Sequence, residues 1–575
     1  MNVGLHLEEN AFEQDIRELL MAFYPGCRFC YGSLEEAEGQ CREDGGLDLM
    51  VSGRFLTEDL EKDARRGNGD EQECGDRERG DLSEHGDGQK NCRYHLTVER
   101  RTDRERAAVG RADAGSNGAG GEKMALDGAA AERKAESPVI ARGLSEAREN
   151  LPFAIDRGDR AETKNRIKRR LYFLLMLDTG RQLPWGALTG IRPVKIPEAK
   201  LAEGWEPERI SAFMEENYLT GAKKRQLSLE IAGEERRLLS QLDYQKGCSL
   251  YVGIPFCPTT CLYCSFTSYP IAKWQNRLDE YLDALEQELL LTREYLGEGR
   301  KLQTIYVGGG TPTSLPEDKL ERLMEMIGRI FPKESLREFT VEAGRPDSIT
   351  EEKLRILKEY GVGRISINPQ SMNQRTLDLI GRRHTVEQVE EVFAMARERG
   401  FDNINMDLIL GLPGEGKEEV LATLSRVKSL SPESLTVHCL ALKRAARLNL
   451  EKERYAGYPM ASGEAMDELV ELAAEAAREL GMKPYYLYRQ KNMAGNLENV
   501  GYAQGDKACL YNILMMEEKH TVFGCGAGTT TKVVIPSQNR VERQENMKNI
   551  QEYLPRFAEV LEKKRRFFRE MEGLF

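Results

Sequence analysis

SLYVGIPFCPTTCLYCSF occupies residues 249–266, and its reading decides the fold. A β-rich run, SLYVGIP (249–255), leads directly into Cys257, Cys261 and Cys264 in C-x3-C-x2-C spacing. Three thiolates in one tight loop suit a soft multi-iron cluster or a zinc ion. A structural zinc site would want a fourth protein ligand at comparable spacing. The nearest later donors, His384, His438 and Cys439, lie far downstream and offer no paired spacing. Three ligands also suit a four-iron cluster in which one iron stays open to an exogenous ligand.

Outward from this loop the texture repeats. The runs TIYVGGG (304–310), EFTVEAG (338–344), RISINP (364–369), NINMDLILGLP (403–413) and SLTVHCLAL (434–442) each precede a charged, helix-patterned stretch. Such alternation predicts a parallel α/β architecture with right-handed crossovers. In a barrel or an open parallel sheet, chemistry gathers at the carboxyl ends of the strands. The cysteine loop, GGGTPT (308–313) and the polar residues Glu342, Gln370, Arg382 and Asp407 all fall at such ends. Glycines at 309 and 310 let backbone N–H and C=O groups approach a polar ligand closely.

The chain has 575 residues, 40% apolar and 31% charged, with a net charge of −12 and a mean hydropathy of −0.56. The acidic balance argues against nucleic acid as a partner. The longest apolar stretches, such as LYFLLML (171–177), fall well short of the ~20 residues a bilayer span needs. The start MNVGLHLEEN shows no secretory signal pattern, so a cytoplasmic location is expected. The twelve cysteines then read as thiols or metal ligands rather than as a disulfide framework. Cys27 and Cys30 form a lone C-x2-C without a matching second pair, and Cys439, Cys509 and Cys525 read as small buried side chains. Much of the hydrophilicity sits in residues 61–150, which hold 37 charged residues, 13 glycines and one aromatic, Tyr94. Such a segment cannot offset its ordering entropy. The expected organisation is an N-terminal α/β domain over 1–200 with disordered charged insertions at about 54–91 and 102–155, and a helical connector over 201–244. A core over 245–480 and a C-terminal α+β extension over 481–575 complete it. Within the first domain, helices are expected near 12–23 and 163–178 and strands near 47–53 and 92–101.

IPFCPTTCLYC resembles the cluster loop of radical S-adenosylmethionine (SAM) enzymes, specifically the oxygen-independent coproporphyrinogen III oxidase family. GGGTPT, EAGRPD (342–347), ISINPQSM (365–372), GRRH (381–384) and NMDLILGLPG (405–414) follow in that family's order, so the resemblance covers roughly 248–480. LPWGALTGIRPVKI (183–196) and LYRQKNMAGNLENVGYA (487–503) resemble its HemZ-type branch. The resemblance implies a partial (β/α)6 TIM-like barrel. Its cofactors would be a [4Fe-4S] cluster on Cys257, Cys261 and Cys264, and SAM. SAM would be contacted by Tyr251, Tyr263, Gly309, Gly310, Thr311, Glu342, Gln370, Arg382, Asp407 and Ala441. Tyr251 and Ala441 equally suit core packing.

The activity so implied is oxidative decarboxylation of two propionates of coproporphyrinogen III to vinyl groups, giving protoporphyrinogen IX through a 5′-deoxyadenosyl radical. Four propionates call for basic groups, for which Arg192, Arg345, Arg489 and Lys491 are candidates. The partners would be the porphyrinogen and an electron donor such as flavodoxin or ferredoxin. Two departures stand out. The best-known oxidases carry a further cysteine where this chain has Phe266, and a histidine where it has Gly253. A haem-trafficking chaperone on the same scaffold, or a radical SAM enzyme with another substrate, is the alternative, and the CLYCSF pattern resembles the chaperone branch.

Overall fold

The protein is described from a computed structural model. The described residues are all but 9, 42–45, 57–90, 102–136, 151, 157, 245, 267, 298, 442–445, 452, 456, 459–460, 462, 491–496, 539 and 575. They form two compact units, Met1–Gly190 with Trp205–Gln226, and Ile191–Gly204 with Leu227–Phe575.

In the first unit, β1 (Asn2–Leu7), β2 (Arg28–Tyr31), β3 (Leu49–Leu56), β4 (Asn91–Arg100) and β5 (Phe153–Asp156) make one sheet in the order β2-β1-β3-β4-β5. The alternation of Tyr94, Leu96 and Val98 places Tyr94 and Leu96 in the core, because side chains along a strand face one side at every second residue. Helix Arg160–Thr179 covers the sheet with Leu171, Tyr172 and Leu175, and ends at Gly180, whose φ of 64° is the left-handed stop glycine accepts without strain. The charged insertions expected at 54–91 and 102–155 lie largely outside the described residues. Two parts of the second range are ordered, the helix Pro138–Arg148 and strand β5. Ile140, Leu144 and Ala147 recur at helical spacing and enter the core, a pattern hidden by the charged composition averaged over the whole segment.

One pair of cysteines departs from the expectation of free thiols or metal ligands. Cys30 and Cys41 form a disulfide. Strand β2 and helix Leu34–Cys41 pack in a small cluster with Ala37, Leu47 and Met50, which brings the two sulfurs together.

The second unit is built on an eleven-stranded sheet. Its centre is β6 (Gly247–Ile254), β9 (Lys301–Gly309), β10 (Glu338–Gly344), β11 (Arg364–Ile367), β12 (Ile404–Leu410) and β13 (Ser434–Cys439). Short strands β7 (Phe256–Cys257) and β8 (Tyr269–Pro270) pair beside the cysteine loop. All six central strands are parallel and adjacent in chain order, with helices such as Leu278–Leu296, Glu317–Ile330 and Val386–Glu398 in the crossovers. This is the α/β, partial (β/α)6 barrel arrangement. Both faces of a parallel strand must be covered, and β11 is buried at every position. Caps start the helices locally: Thr350 accepts from the Lys353 N–H, and Thr385 with Gln388 forms a capping box.

The C-terminal strands do not form a separate body. β14 (Lys483–Tyr488) and β15 (Asn499–Ala503) extend the sheet beyond β13, while β16 (Thr521–Cys525), β17 (Thr530–Ile535) and β18 (Arg540–Glu545) extend it beyond β6. β16 is parallel to β6. Its hairpin is held by a buried ion pair, Lys564 with Glu288, both fully buried. Glu288 also accepts from the Gly526 N–H, Asn546 and Tyr553, and Lys564 donates to the Gly524 carbonyl. Every lone pair and proton of the pair finds a partner, the condition under which a buried pair is tolerated. No helix among the described residues is long and apolar enough to cross a membrane.

Candidate active site

The cysteine loop lies where β6 ends and is tied to two neighbouring turns. The Gly310 and Thr311 N–H groups donate to the Ile254 and Phe256 carbonyls at 2.8 and 2.7 Å. The Leu262 N–H donates to the Ile380 carbonyl, and Thr259 Oγ1 to the Gly381 carbonyl. A Cβ on Gly310 would stand 2.4 Å from the Phe256 oxygen and 3.0 Å from Cys257 Sγ. Only glycine fits that position.

Cys257, Cys261 and Cys264 are all largely covered, with Cys261 buried. Burial pushes the Cys257 thiol up, and the Cys264 thiol up to about 11, so metal must displace protons to bind. Cys257 Sγ lies 3.5 Å from Thr311 Oγ1, and Arg345 Nη1 donates to Cys261 Sγ at 3.6 Å. Among the described residues no three His, Cys, Asp or Glu side chains close on one ion. The donor set of three soft thiols, facing one cation and one hydroxyl, fits a multi-iron cluster with three protein ligands.

Beside this loop the strand ends carry polar groups without partners. Ser366 Oγ, Asn368 Oδ1, Gln370 Oε1 and Arg382 Nε are buried and make no hydrogen bond. Unsatisfied buried polar atoms are costly, and their convergence at one end of the sheet fits a polar ligand such as SAM. Gln370 also holds a φ of 69°, a conformation a non-glycine residue adopts at a cost and often at a functional site. It is pinned there by its N–H to the Asp407 carbonyl and by the Ile409 N–H to its own. Arg382 donates to the Asn368 and Pro369 carbonyls, which fixes the guanidinium at this end of the sheet.

Glu342 and Asp407 are set apart electrostatically. Burial, with Asp407 nearby, raises the Glu342 carboxyl to about 7 despite the donation from Tyr306. Burial also acts on Asp407, but His438, Asn405 and Thr436 outweigh it and hold that carboxyl below its ordinary range. Tyr306 OH donates to Glu342 Oε1 at 2.6 Å, Asn405 Nδ2 to Asp407 Oδ1 at 2.7 Å, and His438 Nε2 stands 3.9 Å from Asp407 Oδ2. Tyr251 stacks with Tyr306 and Tyr511, and Tyr488 OH lies 3.3 Å from His438 Nδ1. Tyrosines therefore line one side of the site. The sequence reading passed over Tyr306, Ser366, Asn368 and Asp347. Tyr306 could have been found, since it precedes GGG by two residues and shares an inward face with Gly308.

The remaining sequence-derived positions divide. Tyr263 and Ala441 are half-buried, and Tyr263 sits close to Arg382, Cys261 and Cys264. Gly309 (φ 111°) ends β9, and the buried Thr311 lies in the turn that follows. Arg489 is buried, directly after β14, at the sheet end that also carries His438 and Tyr488. Lys491 lies outside the described residues. Arg192 and Arg345, read as propionate partners, are placed otherwise. Arg192 pairs with Glu518 at 2.7 Å and donates to the Met516 carbonyl, and this pairing drives Glu518 down to about 2 against its burial. Arg345 is 2% exposed and forms a two-pronged pair with Asp347. Arg345 is thus enclosed, whereas Arg192 is partly exposed and has its Nη1 committed to Glu518 and the Met516 carbonyl. Cys439, Cys509 and Cys525 are buried, and a groove of about 500 Å³ runs between β18 and helix Phe557–Met571, lined by residues such as Gln544, Lys563 and Arg566. None of the site residues lines it.

Comparison with known proteins agrees with this geometry. Residues 251–427 match the radical SAM superfamily. The chain is 42% identical over 413 residues to the oxygen-independent coproporphyrinogen-III oxidase-like protein HemZ of Bacillus subtilis, covering 71% of this chain and 82% of that protein. It is 36% identical over 302 residues to the heme chaperone HemW of the same organism, covering 51% and 75%. It is 36% identical over 209 residues to the oxygen-independent coproporphyrinogen III oxidase of Escherichia coli, covering 36% and 45%.

Proposed function

The chain belongs to the oxygen-independent coproporphyrinogen III oxidase-like family of radical SAM proteins, and from that premise we propose that it is an enzyme converting two propionates of coproporphyrinogen III to vinyl groups. Its cofactors are those of the superfamily, a [4Fe-4S] cluster and SAM. When bound, they supply one electron to the sulfonium and a deoxyadenosyl radical that takes a hydrogen atom from a propionate β carbon. For each propionate the balance would be one SAM consumed to methionine and 5′-deoxyadenosine, one carbon dioxide released, one electron taken from the donor and one passed to an acceptor.

The chain's own residues would hold and shield these partners. Cys257, Cys261 and Cys264 would bind three irons. Gly309, Gly310 and Thr311 would present backbone and hydroxyl groups to SAM, and Tyr263, Gln370 and Arg382 would meet its polar atoms. Glu342 and Asp407 would accept from its hydroxyl or amino hydrogens. Tyr251, Tyr306, Tyr488 and Tyr511 would flank the site and help exclude water. Arg489, and Lys491 beyond the described residues, remain the candidates for propionate pairing. A low-potential one-electron donor such as flavodoxin or ferredoxin would complete the system.

The observation that carries the reading is the set of buried, unpartnered polar atoms of Ser366, Asn368, Gln370 and Arg382 beside a three-cysteine loop. Such a site suits a bound polar cofactor rather than a bare structural metal. The test is anaerobic incubation of the reconstituted protein with SAM, dithionite and coproporphyrinogen III. The expected result is 5′-deoxyadenosine together with vinyl-bearing product. The similarity to a heme chaperone over 75% of its length supports one second reading, haem carriage. Tight stoichiometric haem binding without any vinyl product would establish that reading and end the first. Deoxyadenosine formation that ignores the porphyrinogen would point to another substrate.

A further inference from the structure

Arg345 follows a local irregularity. The register of β10 against β11 shifts between Glu342 and Gly344, and Gly344 takes a φ of 53°. A bulge re-aims the side chains that follow it. Glu342 keeps its place beside Tyr306, while Arg345 swings to the cysteine loop. There the guanidinium is enclosed. Nε and Nη2 donate to Asp347 Oδ1 and Oδ2 at 2.9 and 2.6 Å, and Nη1 donates to Thr259 Oγ1 at 2.8 Å and to Cys261 Sγ at 3.6 Å. The turn is locked from its other side, where the Ser348 N–H and Oγ both donate to the Arg345 carbonyl. An arginine can be oriented this rigidly because its fork is planar, and its charge is permanent.

We propose that Arg345 is a positioning residue that tunes the cluster's reduction potential through its N–H···S hydrogen bond to Cys261, with Asp347 setting how much of its charge reaches the sulfur. Hydrogen bonds to cluster sulfurs and nearby charge are the protein's means of setting such potentials. A buried cation favours the state with the added electron, so Arg345 makes one-electron reduction easier. The neighbouring carboxylate offsets part of that effect. The inference rests on the cluster assignment and is independent of the porphyrinogen reading, since its test needs no substrate.

The test is reductive titration of the anaerobically reconstituted full chain, followed by electron paramagnetic resonance, with iron and sulfide counted in the same samples. Arg345→Met keeps bulk and removes the charge and the donor. It should carry a full cluster whose preference for the reduced state falls tenfold or more, about 59 mV for one electron. Asp347→Asn keeps the guanidinium and removes its counter-charge, so its potential should move the opposite way. Ser314→Ala, which removes only the hydroxyl's hydrogen bond to the Phe256 carbonyl beside the loop and leaves every Arg345 contact in place, should leave the potential near that of the parent. A fully loaded Arg345→Met protein with the parent potential would overturn the proposal. If that variant fails to load, Asp347→Asn decides: a raised potential supports the proposal, and an unchanged or lowered one overturns it. A Ser314→Ala shift equal to that of Arg345→Met would also overturn it, because loop packing would then set the potential.

Discussion

Replacing Tyr306 with phenylalanine removes one hydrogen bond, the 2.6 Å donation to Glu342 Oε1, and leaves the ring that stacks on Tyr511 at 4.6 Å. In the parent, burial and Asp407 raise Glu342 to about 7, so SAM binding should strengthen as pH rises through 7 and the ionised acceptor forms. A hydrogen bond to a charged group contributes about 1.5–3 kcal/mol, against about 0.5–1.5 kcal/mol for a neutral one. The gain across the transition is therefore about 1–1.5 kcal/mol, roughly five- to tenfold in affinity. Tyr306 donates to the ionised carboxylate and holds its pKa down. Losing that preference for the ionised form, about 1–1.5 kcal/mol, raises the midpoint by roughly one pH unit, at 1.36 kcal/mol per unit. The Tyr306→Phe protein should bind SAM several-fold more weakly near pH 7.5 and recover near pH 9.5. Equilibrium dialysis of SAM against reconstituted protein from pH 6 to 9.5 measures both curves. Superimposable midpoints would refute the reasoning, as would a parent affinity that falls as pH rises through 7.

Cys261→Ala should lose most of its reconstituted iron and sulfide and the broad visible absorbance of a cluster; a full load would refute the ligand assignment. Gly310→Ala places a methyl group 2.4 Å from the Phe256 carbonyl and 3.0 Å from Cys257 Sγ, so cluster loading should fall sharply. Gly299→Ala, where an added Cβ meets nothing within 4 Å, serves as its control and should load as the parent does. Lys564→Met strands the fully buried Glu288 carboxylate and should cost about 3–5 kcal/mol of unfolding free energy. The double variant Glu288→Gln with Lys564→Met should recover much of that loss, and a single variant within about 1 kcal/mol of the parent would contradict the network described here.

What was legible in the sequence was local. The six β runs between 249 and 442 are six adjacent parallel strands in chain order, because a short apolar run followed by an amphipathic helix already contains the crossover rule. The cysteine spacing and the glycine turn are likewise written within a few residues each. Helices near 12–23 and 163–178 and the strand at 92–101 emerged close to their expected bounds for the same reason. Composition averaged over a long window misled at 138–156, where a helix and a strand with apolar residues at structural spacing lie inside a charged segment.

The tertiary structure decided what depends on partners distant in the chain. Arg192 and Arg345 stand in motifs where a basic residue suggests an anionic substrate, yet Glu518 takes the first, and Asp347 with the cysteine loop takes the second. Cys30 meets Cys41 only because a strand and a helix pack together. β16 joins β6 across more than 250 residues of chain, and no local pattern encodes which edge of a sheet a late strand will find. Residue type at a given spacing determined the fold and the cofactors of this protein. Which charges remain open to a ligand was settled by packing, since a buried ion is stable only beside a counter-ion that the chain brings from elsewhere.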